Sequence, residues 1–336
     1  MTELTATVLP YSHHTQLPTG TTIAARSRNL DSARDGTIPI FILLHGYPQT
    51  SHQFRYLISL LPSHFPLYIP DLVGYGNSTL PASLDTSSFT KRAVGTALLS
   101  SLSHLLSLPT DKKLPIVLIG HDRGARIAHR LAVDNNHANF SIVGTVLLDI
   151  VPTIVQFDSL KDPKVAAGTF HWPFLAAGNG LPEAMISAYG GGKFCRDLVT
   201  KWGGSVGGDP VRWGRVLEGM RVYEEAFERE SVIKASCEDY RAAAIFDGDE
   251  QVEDQRVGRK LKGPVLVLFS EKYLGSRYDV GEVWREWVDP KEGRLLARAI
   301  GHGVGHFVTE EAPAEIAEVV REWVEKELKG VVQWTK

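Results

Sequence analysis

Six short apolar runs punctuate the chain, at residues 38–44, 66–70, 115–119, 142–148, 264–269 and 294–300. Runs of this length, rich in Val, Ile and Leu, suit strands covered on both faces. Residues 51–61, 89–106, 123–135 and 314–328 carry a helical spacing of apolar positions instead. Strand–helix alternation predicts an α/β fold with a doubly wound, mostly parallel sheet. Residues 5–9 and 21–26 predict a leading antiparallel pair.

Between Val151 and about Lys262 the pattern changes. Continuous strand runs stop, while aromatics and glycines rise in His171-Trp172-Pro173-Phe174, Tyr189-Gly-Gly-Gly and Trp202-Gly-Gly. Residues 212–229 read as a helix with aromatic and charged faces. The expected organisation is one α/β core made of residues 1–151 and 258–336, interrupted by a mainly helical cap at 152–257. A cap belongs over the carboxyl ends of the strands, where open α/β sheets bind ligands.

Composition narrows the picture further. At 336 residues, 43% hydrophobic and 22% charged, the chain can build a core without disulfides or structural metal. A net charge of −3 with no long charged block predicts no nucleic-acid or anionic-membrane partner. Cys195 and Cys237 could pair but need not, and no His/Cys spacing completes a zinc site. The start lacks a basic stretch followed by an apolar run, so no secretory signal is expected. Nothing is long enough to span a bilayer. The reading is a soluble, cytoplasmic protein acting on a small molecule.

The chemistry concentrates at Pro115-Ile-Val-Leu-Ile-Gly-His-Asp-Arg-Gly-Ala-Arg-Ile-Ala-His-Arg-Leu-Ala. A buried strand ends at Gly120, Asp122 follows, then Gly124 and an apolar-periodic helix. This is the small-x-nucleophile-x-small turn with Asp in place of Ser. The plainer reading is a tight turn with Asp as a helix cap, but strand, turn and helix occur in the order a nucleophile requires. Serine suits attack on an acyl carbon. A carboxylate can displace a leaving group from saturated carbon, leaving an ester that water then cleaves. Backbone N–H groups of Tyr47, in His45-Gly-Tyr-Pro, and of Arg123 are candidates for the oxyanion hole. Asp71 reads as structural. His306 and His302, in Gly301-His-Gly-Val-Gly-His-Phe, both follow the last strand and are candidate bases. Asp149 and Glu271, each at a strand end, are candidate acids to orient the imidazole. Arg126 lies four residues beyond Asp122, on the same helix face. With Arg123 it could form a carboxylate clamp, since arginine presents a planar fork of donors.

The chain resembles the α/β-hydrolase group of dehalogenases and epoxide hydrolases, and among them the fluoroacetate (haloacetate) dehalogenases. The likeness runs from His45 onward. It is carried by His45-Gly-Tyr-Pro-Gln, Asp71-Leu-Val-Gly-Tyr-Gly-Asn-Ser, Gly120-His-Asp-Arg-Gly-Ala-Arg, Leu148-Asp-Ile-Val-Pro-Thr, His171-Trp172, Cys237-Glu-Asp-Tyr-Arg and Gly305-His-Phe. The first two are widespread in the fold and the others more specific. The resemblance implies an α/β-hydrolase fold with a cap and a triad of Asp122, His306 and Asp149. It also implies Arg123 and Arg126 on the substrate carboxylate, and a halide cradle of His171, Trp172 and Tyr240. The implied reaction converts a small 2-haloacid to the 2-hydroxy acid with no metal or organic cofactor, in a protein that, like many relatives, could be a homodimer. Relatives commonly carry Trp directly after the nucleophile; here it is Arg123. The Gly-Val-Gly before His306 is a further departure. Two other readings compete. An epoxide hydrolase would use the same machinery with cap tyrosines as proton donors, for which Tyr189, Tyr223 and Tyr240 are available. A non-catalytic receptor for a small acid would need no triad.

Overall fold

The computed structural model describes residues 4–204 and 208–329. Eight strands form one sheet: β1 (His13–Gln16), β2 (Thr22–Arg28), β3 (Ile40–Leu44), β4 (Leu67–Pro70), β5 (Leu114–His121), β6 (Phe140–Leu148), β7 (Leu261–Ser270) and β8 (Val288–Ile300). Their order is β1-β2-β4-β3-β5-β6-β7-β8. β2 pairs antiparallel with β1 and with β4, and the remaining pairs are parallel.

The inner apolar runs become strands because both faces are covered, whereas the 294–300 run, expected to be covered on both faces as well, lies in edge strand β8 and is largely exposed, with Leu296 45% exposed. On β3, Ile40, Ile42 and Leu44 join one core while Phe41 and Leu43 join a second on the opposite face. Ile116 and Leu118 alternate with Val117 and Ile119 in the same way on β5. That is the two-residue period of a pleated strand with no solvent side. Helices α1 (Arg55–Leu60), α2 (Lys91–Leu105) and α3 (Arg123–Asp134) follow the early strands.

Between β6 and β7 every regular element among the described residues is helical. They are α4 (Thr153–Ser159), α5 (Pro163–Gly168), α6 (His171–Ala176), α7 (Leu181–Tyr189), α8 (Gly191–Trp202), α9 (Pro210–Phe227), α10 (Glu230–Ala242), a π turn (Ala243–Asp247) and α11 (Gly248–Val257). After β7 come α12 (Val280–Arg285), then α13 (Val308–Glu311) and α14 (Pro313–Glu327) beyond β8.

One expected element is corrected. The strand anticipated at 5–9 lies instead at His13–Gln16. Residues 5–9 are irregular, with Thr7 N–H donating to the Arg55 carbonyl (2.8 Å). Cys195 and Cys237 are both free and buried. No helix among the described residues is long and apolar enough to cross a membrane.

Candidate active site

The chain leaves β3 toward β4 on one side of the sheet and reaches β5 on the other. Such a reversal opens a crevice at the carboxyl ends of the strands. The Tyr47 loop follows β3 and Asp122 follows β5, so both enter this crevice. Asp122 has φ 47° and ψ −113°, a conformation that costs an L-residue roughly 1–3 kcal/mol and persists only when its surroundings enforce it. Gly124 shows how tight the turn is: a Cβ there would meet the Leu44 carbonyl oxygen at 2.1 Å. Asp122 precedes α3, yet its side chain makes no capping hydrogen bond. The carboxylate instead accepts from Tyr47 N–H at 2.8 Å. The helix-cap explanation of this aspartate is thereby removed.

His306 Nδ1 lies 2.6 Å from Asp149 Oδ2, and its Nε2 lies 3.7 Å from Asp122 Oδ2. Asp149 is fixed in turn by the Ser270 N–H (2.8 Å) and hydroxyl (2.6 Å) donating to Oδ1. His302, by contrast, is exposed, and so is Glu271. The structure thus gathers Asp122, His306 and Asp149 and leaves the other two candidates outside. Burial alone would lower the His306 pKa, but the two carboxylates outweigh it and raise it to about 9. Asp122 is held well below the usual carboxylate range. Burial opposes that shift, and His306 foremost, then Arg123, overcome it.

The His306 loop is anchored from two directions. His121, beneath it, donates from Nε2 to the His306 carbonyl (2.8 Å), and burial pulls its pKa down to about 4, so it stays neutral at physiological pH. From above, the end of α8 presses on the loop: His306 N–H donates to the Trp202 carbonyl at 3.0 Å. The unexpected Gly-Val-Gly is explained here. A Cβ on Gly305 would meet Gly204 N at 1.9 Å and the Trp202 carbonyl at 2.5 Å. Gly305→Ala should therefore destabilise the protein by about 1–3 kcal/mol, as overpacking does, in urea unfolding. A midpoint equal to that of the parent would show that the contact yields freely.

The two arginines separate. Arg123 is fully buried, and its Nε and Nη2 donate to the Asp239 carboxylate (2.6 Å) and carbonyl (2.9 Å). Lys91 holds the same carboxylate at 2.5 Å. Arg123 is thus neutralised behind the cavity wall, 4.1 Å beneath the Tyr240 ring, with one buried nitrogen, Nη1, left without a partner. Arg126 reaches the cavity. It donates to the Val151 carbonyl (3.0 Å) and the Thr153 hydroxyl (3.1 Å), faces no carboxylate in an ion pair among the described residues, and is pulled down to about 10 by burial and by Arg123.

The cavity lining is also aromatic. His171, Trp172 and Tyr240 all line it, with ring centroids 5.7 Å apart for His171–Tyr240 and 5.3 Å for Trp172–Tyr240. Burial keeps the imidazole of His171 neutral and the Tyr240 phenol protonated, the latter aided by the nearby Asp122 charge. Trp202, Tyr273 and Arg277 also line the cavity and were not anticipated from sequence. His171 Nδ1 and Trp202 Nε1 are buried without protein partners. Of the other tyrosines considered, Tyr189 is exposed and bonded to Asp197, and Tyr223 donates to Glu310; neither lines the cavity. Asp71 also lies outside it, accepting from Ser51 N–H (2.9 Å) and Asn77 N–H (2.7 Å) to pin together the segments that follow β3 and β4. The cavity volume is about 30 Å³, above the roughly 10–15 Å³ that one water needs and far below the ~300–1,000 Å³ of drug-sized sites.

Residues 41–319 match the alpha/beta hydrolase family. The chain belongs to that family. It is 30% identical over 301 residues to a fluoroacetate dehalogenase of Burkholderia sp, covering 89% of this chain and 91% of that one. It is 28% identical over 272 residues to a soluble epoxide hydrolase of Corynebacterium sp. (strain C12), covering 81% and 85%. A solved Nostoc sp PCC 7120 structure, described as an alpha/beta hydrolase, superposes with a TM-score of 0.78 at 32% identity, covering 94% and 98%. This alpha/beta hydrolase is therefore similar in sequence, over most of its length, to relatives of two reaction types.

Proposed function

We infer that this hydrolase cleaves the carbon–halogen bond of a small 2-haloacid. The observation that carries the reading is an Asp122 carboxylate, its pKa held low by His306, that lines one small cavity together with Arg126, His171, Trp172 and Tyr240. Asp122 Oδ2 attacks the carbon bearing halogen, a C–O bond forms, and halide leaves with the bonding electrons. The aromatic N–H and O–H groups stabilise that leaving charge as it develops. Arg126 holds the carboxylate. Water, deprotonated by His306, then adds to the Asp122 carbonyl carbon. The oxyanion of this step falls on an Asp122 oxygen, which Tyr47 N–H already serves at 2.8 Å. Collapse expels the product oxygen, which takes the proton held by His306 to give the 2-hydroxy acid, and Asp122 loses its own proton to return as the carboxylate. The helices of 152–257 act as the cap that keeps this exchange out of bulk water.

The test is a halide-release panel across fluoro-, chloro- and bromoacetate. Release from at least one is expected, and active, folded protein that releases halide from none would reject the reading. Epoxide hydrolysis is the second reading, favoured by Tyr240 in the cavity and by the epoxide hydrolase relatives. It predicts a diol from a neutral epoxide and no haloacid turnover.

The high pKa of His306 needs a reason if His306 is to be a base. Asp122 supplies part of it, and esterification removes the Asp122 charge. His306 then loses one of its two carboxylates, its pKa falls, and it sheds its proton to become the base. In Asp122→Asn, which mimics that neutral state, the His306 titration followed by NMR should fall by at least about one unit, worth roughly 1.4 kcal/mol. An unchanged midpoint would contradict the coupling. The sign for stability follows. The folded value, about 9, exceeds the ordinary 6.5, so the stabilisation is whole below pH 6.5 and is lost as pH climbs through 9. Asp122→Asn should flatten that decline.

A further inference from the structure

We propose that Arg277 is the entry residue of this cavity, capturing the carboxylate of an incoming anionic substrate and passing it to Arg126. The proposal rests on the haloacid reading above for its substrate class. Every residue lining the cavity is buried except Tyr273 and Arg277, both half-buried. The mouth is therefore at these two, on the loop after β7.

Arg277 is held at that mouth. Its Nε donates to the Tyr273 carbonyl (3.2 Å), and its guanidinium lies 4.6 Å from the Tyr273 ring centroid. One nitrogen is thus committed to the backbone, while the charge forms no ion pair with a carboxylate among the described residues. Of the other two arginines at the site, Arg123 is neutralised by Asp239 at 2.6 Å. Among the described lining residues, Arg126 and Arg277 are the arginines without a carboxylate ion-pair partner.

The charge balance shows why this matters. The lining residues carry Asp122 and Asp149 as anions and protonated His306 and Arg126 as cations, which cancel. Arg277 is what makes the wall net positive. An anion approaching an ionised nucleophile meets repulsion unless a cation offsets it, and charge at a low-dielectric mouth raises on-rates by about 10- to 10³-fold. A neutral substrate gains nothing from it. Arg277 is thus a specificity residue for anions, separate from the chemistry at Asp122.

The test compares the parent enzyme with Arg277→Gln and Arg277→Lys on chloroacetate, with acetate binding measured by calorimetry alongside. Arg277→Gln should lower kcat/KM about tenfold at low ionic strength, mainly through KM. The deficit should shrink in about 0.5 M salt, where the screening length is only a few ångström, and Arg277→Lys should recover most of the loss. Equal kcat/KM at low salt in Arg277→Gln would overturn the proposal. So would a loss confined to kcat, insensitive to salt and unrescued by Lys, which marks a merely structural role. Acetate has a carboxylate and no leaving group, so it separates the two claims. If the parent releases no halide but binds acetate, and Arg277→Gln binds it about tenfold more weakly, the haloacid reading fails and the entry role stands. Equal acetate affinity, or none in the parent, overturns the entry role.

Discussion

Asp122→Ala should abolish turnover, with a loss of at least about 10⁴-fold, because removing a covalent nucleophile leaves only binding and the oxyanion donor to act. The expectation holds for haloacids and epoxides alike, since both would be opened by this carboxylate. It is strong because no other group can take over. Asp149 is 2.6 Å from His306 and saturated by Ser270 on its other oxygen, and Asp239 is committed to Arg123 and Lys91. The fold should survive. Asp122 makes no cap bond, and His306 keeps Asp149 as its partner. The variant does lose the Tyr47 N–H contact, worth about 1 kcal/mol. Its melting temperature should therefore stay within a few degrees of the parent. Activity that persists in a folded Asp122→Ala protein would remove carboxylate attack from the account. Asp122→Asn, with the same shape and no charge, guards against a loss caused only by altered backbone at φ 47°.

The strands of this enzyme were legible where burial on both faces writes an unbroken apolar word, as in β3 and β5. They were obscured where one face meets solvent. β1 is His13-His14-Thr15-Gln16, an edge strand with a single buried position, so its sequence carries no apolar signature. Residues 5–9 look more strand-like but lack a partner strand. β8 begins at Val288, six residues before the apolar run, because its first half, Val288-Asp-Pro-Lys-Glu-Gly, is mostly polar, and the strand is exposed along most of its length. The strand–turn–helix at Asp122 was legible for a local reason: strand, glycines and helix lie within a dozen residues. Asp149 and His306 could be placed because each ends or follows a strand. Choosing them over Glu271 and His302 needed side-chain direction, which the sequence does not carry. Arg123 shows the limit most clearly. Its position next to the nucleophile suggests substrate contact, but its partner Asp239 lies 116 residues away and turns the guanidinium into the wall. Trp202, Ser270 and Arg277 carry no motif of their own. They reach the site only because α8, β7 and the loop after β7 converge on it.

His306→Ala should separate the two halves of the reaction rather than stop both. The first half needs an ionised Asp122 and an acceptor for halide, and neither depends on a base. Losing the imidazole removes the foremost cause of the depressed Asp122 pKa, while Arg123 still favours the anion that this half needs. One halide per enzyme should therefore appear in a burst. The second half needs water made nucleophilic, a contribution worth about 10²–10⁴-fold, and steady-state turnover should fall by that amount. The ester then accumulates on Asp122. Intact protein should gain the mass of one haloacid less one hydrogen halide, and peptide mapping should place it at Asp122. Adding His302→Ala should change nothing, since that side chain is exposed on the outer part of the loop. Asp149→Asn should give a milder form of the same trapping, because it weakens the orientation of His306 without deleting the base. A His306→Ala enzyme with neither burst nor adduct would mean that the imidazole acts before carbon is attacked. In that case the 3.7 Å approach of His306 to Asp122 serves to activate the nucleophile rather than to cleave its ester.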